Sequence, residues 1–375
     1  MPQYYLSSIH GRQLKQNNWI IKTTLMLTSS LEIDFLDVNS GEKSGDAIAF
    51  RYGDFSNAAT QKVVVIDGGT LDSGQRLVTM IKEVYNTTKV DLVICTHPDG
   101  DHASGLREIL NELTVGELWL HKPWDHSEHI HDLFDDGRIT PDSLDERLRE
   151  AYDFAHQLEI IATEKGVAIR EPFAGREFDN GVIRVLGPTI DYYRELIPDF
   201  TKSPEAAKSL MEKAYSGIKK AIAWIRETIE GELLDESGVT SAENNSSAVV
   251  MLMFQEHRYL FTGDAGIEGL KKVIEYASSE QIDLKNLKFL QVPHHGSKRN
   301  VSPTVLNEIK CLTAYISAAK DSEKHPSRKV INALTRRKSE VYSTEGKNLL
   351  YSINGIGRIG YGPITAHPFY NEVQE

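Results

Sequence analysis

Six consecutive residues constrain this chain more than any other feature. His97-Pro98-Asp99-Gly100-Asp101-His102 puts two imidazoles and two carboxylates directly after the apolar run Leu92-Val93-Ile94-Cys95. Such a run, bounded by turn residues, reads as a buried strand, and a strand end fixes the direction in which the next loop leaves the sheet. With extended backbone across positions 97 to 99, His97 and Asp99 project to one side and can share a cation, while Asp101 and His102 turn toward a second. Leu106, Ile109, Leu110 and Leu113 then follow at helical spacing, so a helix is expected over Ala103–Leu113 and the loop is a strand-to-helix junction.

Further ligand-type residues recur in the same local context. Thr262-Gly263-Asp264 follows the apolar run Tyr259–Phe261, and Pro293-His294-His295-Gly296-Ser297 follows Leu287–Val292. Each segment alone is weak evidence, because Gly-Asp turns and His pairs are common; their agreement in type and position is what carries weight. The expected site therefore holds two divalent metal ions on His97, Asp99, Asp101, His102, Asp264 and His294, with the Asp264 carboxylate able to bridge. Asp67, which ends the run Val63-Val64-Val65-Ile66, is expected to support a metal-bound histidine by hydrogen bonding, although a strand-ending turn would also explain it. Ser297, Lys298 and Arg299 supply a hydroxyl and two cations beside the metals, a phosphate cradle or else an ordinary surface turn. His325 adds an acid or a phosphate contact, or belongs to a loop entering a helix. Of the His pair, His294 is expected to be the ligand and His295 the acid or phosphate-binding residue. The histidines of His121–His131 match no closed metal site and are expected to be mostly solvated.

The rest of the chain frames this loop. Ile33–Val38, Ala47–Arg51, Val63–Ile66 and Glu117–Leu120 read as buried strands, and a second block contains Ala248–Phe254, Tyr259–Phe261, Leu287–Val292 and Leu312–Ser317 with helices at Gly266–Ser278 and Ser327–Arg337. Strands and helices in both halves imply an α/β (α+β) protein with two packed sheets and helices outside. Between the blocks lie the helical sections Thr140–Lys165 and Ser203–Glu232, the latter opening with Ser203 as N-cap and Pro204 behind it. Residues 188–244 read as a helical insertion within one domain spanning 1–375, either as packing or as a lid, specificity element or partner surface.

A net charge of −12 excludes a whole-surface grip on polyanions, so nucleic acid must be held by a local basic patch or by the metals. Cys95 and Cys311 both sit in apolar runs, which argues against a disulfide framework. The first residues lack a signal-like apolar segment, and no stretch of about 18 apolar residues is present to span a bilayer. A cytoplasmic chain with no membrane partner is the expectation.

Taken in order, these segments resemble the metallo-β-lactamase superfamily, and more narrowly the hydrolase domain attached to the ComEC/Rec2 competence proteins. The resemblance rests on Phe35-Leu36-Asp37-Val38, Gly45-Asp46-Ala47-Ile48, Asp67-Gly68-Gly69, Thr96–Gly105, Asn244-Asn245-Ser246-Ser247, Phe261–Asp264, Val292–Ser297 and His325-Pro326, which cover most of residues 32–345. It implies an αββα four-layer sandwich with a dinuclear site at the sheet edges and hydrolysis by metal-activated water. The chain departs from the family pattern at Asp99, where many members carry His, and near Leu186-Gly187-Pro188, where a third-motif His is not evident. Oxygen in place of nitrogen makes a site harder, which sets manganese beside zinc as the expected metal. The function expected is a phosphodiesterase or nuclease acting on DNA, RNA or another phosphodiester. Asp101 would orient the water, and His295 or Lys298 would assist the leaving oxygen. Two alternatives are a hydrolase of a small ester, lactam or nucleotide, and a hydrolase subunit recruited to a protein partner through residues 203–232.

Overall fold

The computed structural model describes residues 29–38, 44–57, 60–134, 138–202, 223–355, 357–358 and 364–374. Its first sheet is built from β1 (Ser30–Phe35), β2 (Ala47–Gly53), β3 (Lys62–Gly68), β4 (Lys89–Cys95), β5 (Thr114–Leu120) and β6 (Ala168–Arg170), closed by the late strand β15 (Leu349–Ile353) in the order β15-β1-β2-β3-β4-β5-β6. The second contains β7 (Glu177–Phe178), β8 (Ile183–Gly187), β10 (Val249–Phe254), β11 (His257–Phe261), β12 (Leu287–Gln291), β13 (Cys311–Ile316) and β14 (Glu340–Ser343), ordered β14-β13-β12-β11-β10-β8-β7. A ribbon of β9 (Trp224–Arg226) and β16 (Glu372–Gln374) stands apart from both.

The apolar runs are continuous rather than alternating because each central strand is buried on both faces. Along β3, Val64 and Ile66 join a core between the two sheets, while Val63 and Val65 join a second core under the helices of the first half. A third core lies under the helices of the second half, where Leu260, Leu290 and Ala314 point outward from their sheet. Three apolar layers separate four structural layers, giving the αββα order. Aromatic rings fill the middle layer: Phe50 of one sheet stacks on Phe261 of the other with centroids 5.4 Å apart and planes 9° from parallel, and Phe35 meets Phe289 at 5.8 Å.

Strand direction positions the site. β3, β4, β5 and β6 run parallel, as do β11, β12, β13 and β14, so within each set the carboxyl ends share one edge. Loops leaving the carboxyl ends of parallel strands converge there, which is the place where α/β sheets gather functional groups. β2 runs antiparallel to β3, with Ala47 opposite Gly68, so the residue before β2 reaches the same edge.

Two expectations are corrected. The helix after the metal loop is split: Gly100–Ala103 forms one short turn and Leu106–Glu112 a second, separated by Ser104-Gly105. Here Gly105 runs so close to Gly68 that a Cβ would lie 2.0 Å from the Gly68 carbonyl oxygen. The expected helix Ser203–Glu232 lies outside the described residues up to position 222, and beyond it Trp224–Arg226 is a strand. Its aromatic and β-branched residues pair with Glu372–Gln374, a partner remote in sequence. The 188–244 segment is thus not uniformly helical, although Ile190–Leu196 and Ala242–Asn245 are. Among the described residues no helix is long and apolar enough to cross a membrane.

Because Phe261 is fully buried between the sheets, Phe261→Ala should cost about 3–5 kcal/mol of stability. Urea unfolding should register this as a lower midpoint at unchanged slope.

Candidate metal centre

Every expected ligand sits on the converging strand ends. Asp67 is the penultimate residue of β3, Thr96-His97 follows β4, Thr262-Gly263-Asp264 follows β11, and His294-His295 follows β12 after two residues. Asp264 is the hub. Its Oδ2 lies 3.8 Å from His97 Nε2, 3.7 Å from His294 Nε2 and 3.9 Å from His295 Nε2, while its Oδ1 lies 3.5 Å from His102 Nε2. Asp99 Oδ2 stands 3.8 Å from His97 Nε2, and Asp101 joins His102 and His295 in a separate grouping.

These separations are too long for hydrogen bonds and too short for indifference. Two ligands each roughly 2.0–2.2 Å from one cation stand roughly 3–4 Å apart. Several of the atoms concerned have no other partner: His97 Nε2, His102 Nε2 and Asp264 Oδ1 are buried without a hydrogen bond among the described residues. Buried polar atoms are otherwise nearly always paired. The donor set therefore fits divalent cations, and the four groupings Asp67/His97/His102, Asp46/His102/Asp264, Asp101/His102/His295 and Asp264/His294/His295 share members in the manner of adjoining sites.

The opposite nitrogen of each imidazole is held by the protein, which fixes where the free one points. His102 Nδ1 lies 2.8 Å from Asp67 Oδ2, and the same carboxylate accepts from Thr96 N at 2.8 Å and Thr96 Oγ1 at 2.6 Å. Thr96 Oγ1 is in turn 3.0 Å from His97 Nδ1. His295 Nδ1 donates to the Ser317 carbonyl at 3.0 Å. His294 Nδ1 lies 3.0 Å from both the Asn244 amide nitrogen and Asn300 Oδ1.

The donors are strongly coupled electrostatically. Burial would push the Asp264 carboxyl up, but His294, His102 and His295 outweigh it and hold the group well below the usual carboxylate range. Burial would likewise depress His102, yet Asp264 and Asp67 overcome it and hold the imidazole well above the ordinary histidine value. With no such surplus of acids, His295 is pushed well below that value by burial. The buried carboxylates thus favour positive charge on the imidazoles around them.

Sequence reasoning missed Asp46. It is 1% exposed, lies with its Oδ2 4.0 Å from His102 Nδ1, and leaves Oδ1 unpartnered among the described residues; burial pushes its carboxyl up to about 7. Only the family-like Gly45-Asp46-Ala47 run signalled it. Gln291 was missed as well: its Oε1 accepts from Thr262 N at 2.6 Å and Gly263 N at 2.9 Å, and its Nε2 donates to Asp46 Oδ2 at 2.9 Å, tying the two sheets together. Lys298 and Arg299 line a cleft with Lys329 and residues 233–239 that contains none of the expected ligands, Ser297 is buried, and the His325 ring lies 5.7 Å from that of His294.

The expectation that the His121–His131 histidines are solvated fails for two of them. His121 and His126 are each 3% exposed, and His121 stacks on Tyr193 at 4.5 Å; burial drives its imidazole down to about 3. The cause is Ile190–Leu196, whose Tyr193 covers the end of β5, a tertiary contact that local spacing does not encode.

Gln291→Ala leaves the Thr262 and Gly263 amides unpaired in a buried loop, so a loss of about 2–4 kcal/mol is expected. Chemical denaturation of the cation-free protein checks it, and an unchanged midpoint would refute the bridging role.

The chain is 28% identical to ComE operon protein 3 of Bacillus subtilis over 165 residues, which are 40% of this chain and 20% of that protein. It is 34% identical to Recombination protein 2 of Haemophilus influenzae over 110 residues, 28% of this chain and 13% of that protein. The chain thus matches a fifth or less of the length of these curated relatives. Similar solved structures include a diphosphatase from the PhnP family, at 11% identity and TM-score 0.39, covering 86% of this chain and 98% of that one. Another is a metal-dependent hydrolase of the beta-lactamase superfamily, at 14% identity and TM-score 0.41, covering 85% and 98%. The profile of the metallo-beta-lactamase superfamily matches residues 58–320, more than half of the chain, and the chain belongs to that superfamily.

Proposed function

We propose that this superfamily hydrolase is a phosphodiesterase that cleaves DNA or RNA. The observation that carries the proposal is the convergence of four imidazole nitrogens on the buried carboxylate of Asp264, with Lys298 and Arg299 a few residues further along the same chain segment. The partial matches to ComE operon protein 3 and Recombination protein 2, the second named for recombination, favour a nucleic-acid substrate over a carboxyl ester.

In this proposal His97, Asp99, Asp101, His102, Asp264 and His294 hold two divalent cations, zinc or manganese, and Asp46 joins them. When bound, such ions supply activation of water and neutralisation of charge on the phosphoryl oxygens. Asp67 acts from behind, holding the His102 ring so that Nε2 faces the cluster. His295 departs from its expected role as the acid: with Nδ1–H committed to the Ser317 carbonyl, its Nε2 lone pair faces Asp264, the arrangement of a ligand. Asp101, partly exposed at the mouth of the cluster, is then assigned to orient the attacking water and take its proton. Ser297, Lys298 and Arg299 are assigned to the phosphate, with Lys298 or His325 beside the departing oxygen.

The domain proposal is a single unit over 1–375, with residues 188–244 as an insertion whose Asn244 reaches His294. Recruitment of a protein partner through 203–232 falls mainly outside the described residues.

Three outcomes are expected. Incubation with linear and circular nucleic acid plus manganese or zinc should give cleavage, and Asp101→Ala should lower the rate by about 10²–10⁴-fold. Turnover of small chromogenic carboxyl esters with no cleavage of any phosphodiester would sink the proposal. Chelation should abolish activity and lower Tm, while re-addition of the cation at about a hundred times its Kd should restore about 2.7 kcal/mol.

A further inference from the structure

Of the Phe, Tyr and Trp side chains among the described residues, two are exposed: Phe154 at 41% and Trp224 at 50%. Trp224 belongs to the ribbon that stands apart from both sheets, whereas Phe154 lies against the metal loop itself. Its ring edge packs so closely on Gly100 that a Cβ there would lie 2.8 Å from Phe154 Cε2 and 3.1 Å from Cδ2. Gly100 joins Asp99 to Asp101, the carboxylates proposed above to hold cations and to orient water. A single exposed apolar side chain is ordinary on a protein surface. One in contact with the loop that carries the reacting centre is placed to touch whatever that centre cleaves.

A buried network holds the ring in place. Phe154 lies in the first turn of the helix Asp153–Glu164, two residues after Tyr152, which is 1% exposed and donates its hydroxyl to Glu243 Oε1 at 2.9 Å. The same oxygen accepts from Thr201 N and Thr201 Oγ1, each at 2.6 Å, and the Tyr152 ring meets Phe200 edge-on with centroids 5.6 Å apart. Burial, and then the Glu243 charge, raise the Tyr152 phenol well above its ordinary value, so it stays a donor. Glu243 precedes Asn244, whose amide nitrogen lies 3.0 Å from His294 Nδ1. One network therefore carries both Phe154 and a residue that orients a histidine of the centre. A ring on so firm a base loses little freedom when a ligand covers it.

We infer that Phe154 stacks on the nucleobase beside the scissile phosphate, so that the centre selects phosphodiesters that carry bases. The inference rests on the phosphodiesterase reading and narrows it, because a diester of simple alcohols offers the ring no flat face to cover. Charge balance favours this mode of attachment. The chain carries a net charge of −12, and the Asp99 side chain beside the ring is 39% exposed, so electrostatic attraction of a polyanion is weak at this mouth. Stacking of a base on an aromatic ring needs no charge, accepts every base, and is worth about tenfold or more in affinity per base. It also takes the exposed ring face out of water.

Fluorescence anisotropy tests it with two labelled strands of equal length and charge, a thymidine 12-mer and the same strand built from stable abasic units, each titrated with the full chain with calcium as the cation. The native chain should bind the thymidine strand about tenfold more tightly than the abasic one. Phe154→Ala should bring the thymidine strand down to the affinity of the abasic strand, and Phe154→Trp should keep or widen the native preference. A preference that survives Phe154→Ala unchanged would overturn the inference. So would an equal weakening of both strands, which marks a disturbed metal loop, or the lack of any preference in the native chain. Cleavage assays with manganese separate the two claims. Cleavage of the thymidine strand without base preference overturns the stacking alone, and base preference without phosphodiester cleavage overturns the activity reading alone.

Discussion

The carboxylate of Asp264 is the constraint on which the rest depends. A charged group buried this deeply costs several kcal/mol unless matching charge surrounds it, and removing one partner of such a group is worse than never having it. The chain meets the demand with four imidazole nitrogens within 3.5–3.9 Å. Each ring is oriented by a different partner: Asp67 for His102, Thr96 for His97, Ser317 for His295, and Asn244 with Asn300 for His294. Those partners come from both sheets, so the centre cannot assemble until the two sheets are packed.

Packing in turn explains the composition of the strands. The middle layer combines aliphatic residues with a cluster of aromatic rings, while the strand residues facing the helices come from the alternate positions, so neighbours along one strand do different work while all remain apolar. The cross-sheet amide bridge from Gln291 to Asp46 is the polar counterpart of this aromatic layer. It sits where the apolar interior gives way to the site.

Much of this was legible in the sequence, for identifiable reasons. Buried parallel strands announce themselves as short apolar runs, and their carboxyl ends mark where the chemistry gathers, so the loop at His97–His102, Asp264 and the His294-His295 pair were readable from local context alone. Asp46 was not, because it precedes its strand, and only the antiparallel pairing of β2 with β3 carries it to the same edge. The burial of His121 depended on Tyr193, and the strand at Trp224–Arg226 on residues 372–374, contacts that span long stretches of chain. The His295 assignment turned on a single hydrogen bond to a main-chain carbonyl, which no residue pattern records.

The stacked pair Phe50 and Phe261 has a consequence beyond the core it fills. Phe261 immediately precedes Thr262-Gly263-Asp264, so the ring that sets the distance between the sheets is covalently three residues from the hub carboxylate. The spacing between the His97–His102 side of the centre and the Asp264 side is therefore inherited from an aromatic contact. The separation of the donor atoms across the centre is set from the oily interior as much as from the donors' own side chains.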